Sequence, residues 1–278
     1  MNVNWTLDRT YASAHGQVRW AVLGDPADPP VVLLHGTPWS SFVWRDIARA
    51  LAGSHRVFVW DMPGYGSSEK YEGQDVSLGA QGRVFVELLA HWGLERPAVV
   101  AHDFGGTVAM RAHLLHGVAF ERIALVDVTV AFDTWGSPAY RLMGAHPGIF
   151  AQLPPALHSA LVRAYISSAA PRGLRPEVLD QLARPWLEEA GQPALFRQMA
   201  QNDQRWTREA EARYGETAVP VLVCWGTDDP WIPAGNAHKL AGRIPGARLH
   251  LIEGAGHLVQ EDAPAELAAV LERFVRDR

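Results

Sequence analysis

Residues 97–110 constrain the fold of this chain more than any other part of the sequence. The apolar run 97–101 predicts a short buried strand, and the residues from 104 onward predict a helix. Asp103 stands at the tip of the tight turn between them. Small residues flank this tip, where two backbone segments approach closely: Ala101, Gly105 and Gly106. We therefore expect the Asp103 side chain to project from the end of a sheet, with the unpaired N–H groups of the helix behind it.

Asp103 holds the position of a nucleophile, and its chemistry limits what it attacks. A carboxylate with an ordinary pKa of about 3.9 is ionised at neutral pH and needs no base for its first step. The helix start favours the anion by roughly 0.3–1 kcal/mol. A carboxylate displaces leaving groups from saturated carbon and forms an enzyme ester, which indicates epoxides or organohalides as substrates. The alternative is that Asp103 merely caps the helix through its side chain.

Apolar runs that predict strands alternate with stretches that predict helices through most of the chain. The predicted strands cover residues 17–23, 30–35, 56–60, 97–101, 122–127, 220–225 and 248–252. The predicted helices outside the 131–212 region include 40–52, 81–92 and the one that runs from 104 toward His116. This alternation predicts an α/β protein with a mostly parallel central sheet flanked by helices.

Strand patterns are absent between residues 131 and 212. Prolines divide this segment into short helical pieces, such as 156–166 and 177–187. We expect a helical cap inserted over the carboxyl ends of the strands, where ligands of open α/β sheets bind. The predicted domains are a core formed by residues 1–130 and 213–278 and a cap formed by residues 131–212.

Composition excludes several classes of partner. The formal charge of −5, with both signs scattered along the chain, argues against a nucleic-acid partner. No apolar run approaches about 18 residues and no leader pattern opens the sequence, so no membrane partner is expected. The single cysteine, Cys224, excludes an internal disulfide. A soluble cytoplasmic protein is the expectation. No metal site and no cofactor are predicted. The glycine turn at 61–68 lacks the spacing of a phosphate-binding loop.

Two loops after later strands carry residues that complete the chemistry of Asp103. The glycine-rich loop after strand 248–252 carries His257, whose ordinary pKa near 6.5 suits it to activate the water that cleaves the ester. The loop after strand 220–225 carries Asp229, which is expected to orient His257 and stabilise its imidazolium form. Asp127 ends the predicted strand 122–127, which follows the helix that begins at residue 104, and is the alternative acid.

The loop at residues 35–38 is expected to assist cleavage of the ester. Attack by water creates a tetrahedral oxyanion, and two preorganised backbone N–H groups are its usual stabilisers. The candidates for this oxyanion hole are the N–H groups of Thr37 and Phe104. Pro38 is compatible with a cis turn, and the His35 side chain is interpreted as a structural hydrogen bonder.

Three of these segments resemble the motifs of the α/β-hydrolase superfamily, specifically its Asp-nucleophile branch of epoxide hydrolases and haloalkane or haloacetate dehalogenases. They are the 35–38 loop (HGTP), the 102–106 elbow (HDFGG) and the 256–264 loop (GHLVQEDAP). The resemblance covers nearly the whole chain outside the cap. It implies an α/β-hydrolase fold and a cofactor-free hydrolase that acts on a small apolar organic substrate.

The departures from the family pattern bear on the substrate. Many dehalogenases hold the halide with an Asn in place of Thr37 and a Trp in place of Phe104, and fluoroacetate dehalogenases place an Arg at the latter position. The resemblance therefore favours epoxide hydrolysis, with dehalogenation as the alternative. A ligand-binding module without catalysis on the same fold is a third hypothesis.

The resemblance also suggests residues that contact the substrate. Epoxide hydrolases protonate the opening oxygen with cap tyrosines, or with a His and a Tyr. Residues 146–152 look like the first donor region, which makes His146 the expected donor, and Tyr140 and Tyr165 are cap alternatives. Trp39 and Trp135 are the expected substrate-binding tryptophans, and a cap indole such as that of Trp135 is the candidate N–H for a halide.

Overall fold

A computed structural model describes residues 4–130, 132 and 135–277. Within this part of the chain, eight strands form one sheet. They are β1 (Arg9–Ser13), β2 (Gly16–Leu23), β3 (Pro30–Leu34), β4 (Arg56–Trp60), β5 (Ala98–His102), β6 (Ile123–Val126), β7 (Val221–Gly226) and β8 (Arg248–Ile252). Their order across the sheet is β1-β2-β4-β3-β5-β6-β7-β8. Both pairs that include β2 are antiparallel and the other neighbours are parallel, so the predicted mostly parallel sheet is confirmed.

Helices connect and flank the strands. They are α1 (Arg45–Leu51), α2 (Leu78–Trp92), α3 (Phe104–His116), α4 (Pro138–Ala145), α5 (Pro147–Phe150), α6 (Pro155–Ser167), α7 (Pro176–Leu187), α8 (Gly191–Gln201), α9 (Arg205–Glu211), α10 (Gly235–Arg243), α11 (Val259–Asp262) and α12 (Pro264–Arg276). In the sheet core, α2 packs against α3 and α1 against α12. No helix among the described residues has both the length and the apolar character needed to cross a membrane.

The central strands are buried along their whole length. Every residue of β5, β6 and β7 is buried, including the thiol residue Cys224. Strands covered on both faces are apolar without alternation, and the sequence shows this pattern. Because parallel strands end at one edge of a sheet, the loops after β3, β5, β6, β7 and β8 meet there. These loops carry Thr37, Asp103, Asp127, Asp229 and His257 respectively.

The segment between β6 and β7 contains helices α4 to α9 and a short 3₁₀ helix, Tyr214–Glu216. We call residues 138–216 the cap segment. The predicted division of this segment into short helices by prolines agrees with the structure. Four of the prolines begin α4, α5, α6 and α7, where the missing N–H has no helical partner to lose. The indole N–H of Trp186 donates to the Pro38 carbonyl at 2.7 Å, which ties α7 to the loop after β3. The proposed division into core and cap domains stays a prediction.

Several elements differ from the sequence prediction, among them two helices and one strand. The single helix predicted at 40–52 is a 3₁₀ turn, Ser41–Trp44, followed by α1, with the Ser40 hydroxyl accepting the Phe42 N–H. Helix α2 begins three residues before the predicted start, because the Ser77 hydroxyl caps it. Strand β1 was not predicted, since its residues are mixed in polarity and it pairs at the sheet edge.

Gly105, in the first turn of α3, has no room for a side chain. A Cβ atom there would lie 2.6 Å from the carbonyl oxygens of both Leu34 and His35. Because backbone atoms do not swing aside as a side chain does, we expect Gly105→Ala to lower the free energy of unfolding by about 1–3 kcal/mol. Urea denaturation followed by circular dichroism measures this change.

Gly242→Ala in α10 is the matched control. A Cβ atom at this position meets nothing within 4 Å, and alanine favours the helix by up to about 1 kcal/mol. Equal destabilisation by the two substitutions would contradict the packing argument for Gly105.

Candidate active site

Asp103 occupies a strained turn between β5 and α3. Its backbone lies at φ 49° and ψ −120°, a region that non-glycine residues rarely adopt. One carboxylate oxygen, Oδ2, accepts the Thr37 N–H at 2.7 Å, and the other, Oδ1, accepts the Thr129 hydroxyl at 2.6 Å. The Phe104 N–H also stabilises the charged form of this carboxylate. The Asp103 side chain does not cap α3 with a hydrogen bond. The structure thus brings Asp103 to both candidate N–H donors of the oxyanion hole.

Burial changes the electrostatics of Asp103. Removal of water raises the pKa of the carboxyl group, while the neighbouring His257, the Thr129 hydroxyl and the two backbone N–H groups oppose that rise. The net direction is upward, whereas the sequence suggested an ordinary value. The ionised form of Asp103 therefore depends on its protein donors and on His257 instead of on water.

His257 lies in the loop between β8 and α11. Its Nδ1 atom is 2.9 Å from Oδ2 of Asp229, and both side chains are completely buried. Because Asp229 accepts, Nδ1 carries the proton and Nε2 is the basic nitrogen. Nε2 is buried and has no hydrogen-bond partner in the part of the chain that the structure describes. Burial alone lowers the pKa of His257, but the charges of Asp229 and Asp103 and the hydrogen bond that His257 donates to Asp229 outweigh it, so the pKa is raised.

Asp229 is held firmly by its own loop. Its Oδ1 atom accepts the N–H groups of Trp231 at 2.7 Å and Ile232 at 2.8 Å. The alternative acid, Asp127, instead accepts the Gly226 N–H at 2.9 Å. The structure therefore places Asp229 at His257 and places Asp127 next to Asp229.

Two side chains at the site had not been identified from the sequence. Thr129 holds the nucleophile, and its position just after β6 is a signal that would have placed it at the same sheet edge as Asp103. His102 points its Nε2 atom at the His257 carbonyl, at 2.8 Å, and the two rings are 4.8 Å apart. Nothing in the sequence pattern indicates this contact between the end of β5 and a loop 155 positions further along the chain.

Gln198, on α8, links the cap segment to the oxyanion-hole loop. It is fully buried, and its Oε1 atom accepts the hydroxyl groups of Thr37 at 3.0 Å and Tyr65 at 2.9 Å. The Thr37 side chain is thus directed toward the cap, while its backbone N–H faces Asp103.

A small cavity of about 30 Å³ opens above Asp103, which is room for about two water molecules. Asp103 and Thr129 form its floor on the core side, and Tyr140 and Tyr165 line it from the cap segment. A second pocket of about 420 Å³ shares several lining residues with this cavity, among them Trp231.

Tyr140 and Tyr165 present phenol groups to this cavity. The Tyr140 hydroxyl is buried and has no hydrogen-bond partner among the described residues. Burial raises the pKa of both phenols well above its usual value, and the charge of Asp103 adds to the effect. Both groups are therefore neutral O–H donors at physiological pH.

The three residues predicted to contact substrate differ in position. Trp135 lines the cavity, but its indole N–H donates to the Thr207 hydroxyl at 3.1 Å. Trp39 is buried behind the cavity, where its ring stacks on Trp231 with 5.5 Å between centroids. His146 is exposed at the junction of α4 and α5 and does not line the cavity, so its position does not suit the proton-donor role assigned to it from the resemblance.

The bond between Asp229 and His257 leads to a prediction about pH. Replacement of Asp229 by Asn removes the negative charge that raises the pKa of His257, so burial then dominates and the pKa falls. Nuclear magnetic resonance titration of the His257 ring measures this shift. Asp228→Asn is the matched control, because that carboxylate is exposed and contacts Thr227. A His257 pKa that is unchanged in Asp229→Asn would contradict the assignment of Asp229 as its partner.

Comparison with known proteins agrees with this fold. A family model described as the α/β hydrolase fold matches residues 29–264. Haloalkane dehalogenase 2 from Mycobacterium tuberculosis is 30% identical over 304 aligned positions, which cover 99% of this chain and 100% of the relative. Epoxide hydrolase A from the same species is 29% identical over 312 positions, which cover 93% of this chain and 94% of the relative.

A solved structure is more similar in sequence. An α/β hydrolase fold protein from Burkholderia ambifaria superposes with a TM-score of 0.92 at 44% sequence identity, covering 96% of this chain and 97% of that one. The strand order, the sharp turn at Asp103 and the matched region all agree with the α/β hydrolase fold. This chain belongs to the α/β-hydrolase family and is a hydrolase of that fold.

Proposed function

We propose that this protein hydrolyses a small apolar epoxide without a cofactor, with Asp103 as the nucleophile. The observation that carries the proposal is that the Asp103 carboxylate and two neutral cap phenols, Tyr140 and Tyr165, line one cavity. Opening of an epoxide needs an attacking group on carbon and a proton for the departing oxygen. The two sides of the cavity supply these two functions.

In the first step, Oδ1 of Asp103 attacks an epoxide carbon. The carbon–oxygen bond of the ring breaks, and its electron pair stays on the oxygen, which takes a proton from Tyr140 or Tyr165. Oδ2 stays at the Thr37 N–H and becomes the carbonyl oxygen of the ester. The product of this step is a hydroxyalkyl ester of Asp103 and a phenolate on the cap.

In the second step, water attacks the ester carbonyl carbon. Nε2 of His257 takes a proton from this water, and Asp229 stabilises the imidazolium that forms. The oxyanion develops on Oδ2, next to the N–H groups of Thr37 and Phe104. Collapse of the intermediate breaks the ester bond, and the leaving alkoxide takes the proton held by His257 and departs as the diol. The remaining proton, on the regenerated Asp103 carboxyl group, passes through water to the phenolate and restores the phenol.

Three features support an epoxide over an organohalide, although one relative is named a haloalkane dehalogenase. The two indoles in the cavity wall already donate elsewhere, Trp135 to Thr207 and Trp231 to Ser168. The Thr37 hydroxyl donates to the cap. Two tyrosines, in contrast, line the same cavity as the nucleophile, and a phenol group suits an oxygen that needs a proton.

Trapping of the ester tests the proposal. His257→Gln removes the base of the second step, so the ester on Asp103 is expected to accumulate. Incubation of this variant with separate epoxide and haloalkane panels is followed by intact mass, and peptide mass locates the adduct. We expect a mass increase equal to a whole epoxide molecule on the peptide that contains Asp103.

The matched control is the double variant Asp103→Asn, His257→Gln, which should form no adduct. Adducts from haloalkanes alone would replace epoxide hydrolysis with dehalogenation. Reversible binding without any adduct or turnover would support a ligand-binding module and contradict both hydrolytic proposals.

Removal of the phenols tests the proton donors separately. We expect Tyr140→Phe and Tyr165→Phe together to slow ester formation from epoxides by about 10²–10⁴-fold, because a general acid contributes about that much. Stopped-flow measurement of ester formation gives the rate. Tyr214→Phe, at a buried tyrosine outside the cavity, is the control. An unchanged rate in the double variant would show that the proton comes from another group.

A further inference from the structure

Asp127 is a buried carboxyl group that the proposed steps do not use. Its side chain is completely shielded from solvent, and its backbone has a positive φ of 44° at the end of β6. Oδ1 accepts the Gly226 N–H at 2.9 Å. Oδ2 is buried and has no hydrogen-bond donor among the described residues. Asp229 is the side chain that acts on Asp127 most strongly, both through its charge and through a side-chain hydrogen bond.

The donors around the two neighbouring carboxyl groups are unequal. Asp229 receives three N–H donors, from Trp231, Ile232 and His257. Asp127 receives one, from Gly226. Two buried carboxylates in contact do not both ionise, and the one with more donors keeps the charge. The proton therefore belongs on Asp127.

We propose that Asp127 is a protonated carboxylic acid that donates a hydrogen bond from Oδ2 to the Asp229 carboxylate. Asp127 is then a positioning residue. It contacts neither substrate nor His257, and it holds the acid that orients His257. The two carboxyl groups together carry one negative charge and are joined by a hydrogen bond. The effect of this pair on catalysis rests on the proposed function, whereas the location of the proton does not.

The surroundings of Asp127 favour the protonated form. Burial raises its pKa well above the usual value, and the carboxylates of Asp229 and Asp103 add to this, while the Gly226 N–H opposes it. Cys224, on β7, is a further titratable neighbour, and burial raises the pKa of its thiol, so it adds no charge. Thus the charged groups that act most on Asp127 are both acidic, and each disfavours a second negative charge.

Asp127→Asn is the informative variant. Asn has the shape of a protonated Asp, accepts through its oxygen, donates through its amide and tolerates a positive φ. We expect it to keep the epoxide turnover and its pH profile within about threefold of the wild type. Asp127→Gly also tolerates the backbone but removes the donor, and we expect its turnover to fall by about tenfold or more.

The dependence of stability on pH reports the proton without any substrate. In the unfolded chain Asp127 loses its proton near pH 3.9, whereas in the native state it keeps it to a much higher pH. The native state then binds more protons, so wild-type stability falls relative to Asp127→Asn as pH rises above that value. We expect the Tm of Asp127→Asn minus that of the wild type to increase from pH 5 to pH 8. Asp228→Asn, at an exposed carboxylate, should show no such trend.

Infrared spectroscopy gives a second substrate-free measurement. The folded wild type at pH 7 should show the carbonyl band of a protonated carboxylic acid that is absent from Asp127→Asn. Loss of activity in Asp127→Asn as large as in Asp229→Asn would overturn the proposal, as would a flat or opposite Tm trend or identical infrared spectra. If no epoxide is turned over even by the wild type, the proposed function fails and the two substrate-free measurements still decide the protonation of Asp127.

Discussion

The site depends on the removal of water from one carboxylate at the carboxyl edge of a parallel sheet. Asp103 is buried, so its charge needs donors from the protein in place of solvent. Those donors come from different loops, with Thr37 after β3, Phe104 at the start of α3 and Thr129 after β6. The sheet order places β5 between β3 and β6, and this adjacency is what allows both neighbouring loops to reach the same side chain.

Much of this arrangement was predictable because it follows from patterns short in sequence. Uninterrupted apolar runs identify strands covered on both faces, and the small residues around Asp103 identify a sharp turn. Since parallel strands end at one edge, the polar residues that follow them were expected to meet. The fold prediction is confirmed, and the roles assigned to Thr37, Phe104, His257 and Asp229 remain proposals that the geometry supports.

The remaining features depend on contacts that no local pattern encodes. Asp127 and Asp229 follow adjacent strands, and both were therefore candidates for the acid that orients His257. The path of the loop after β7 decides that Asp229 is the one that reaches His257. In the cap segment, the choice among His146, Tyr140 and Tyr165 depends on the rotation of each short helix about its axis. Tertiary packing sets that rotation, and it turns His146 to solvent and the two tyrosines to the cavity.

The buried amide of Gln198 has a consequence for the exchange of the cap segment. Its oxygen, on helix α8 of the cap segment, accepts hydrogen bonds from the hydroxyl groups of Thr37 and Tyr65. One acceptor therefore joins the cap segment to two loops of the sheet. A chimera that transplants this segment from a relative would leave both hydroxyls unsatisfied unless the donor brings an equivalent acceptor. In this chain, exchange of the cap segment alone would therefore disturb the oxyanion-hole loop, and the two parts must be changed together.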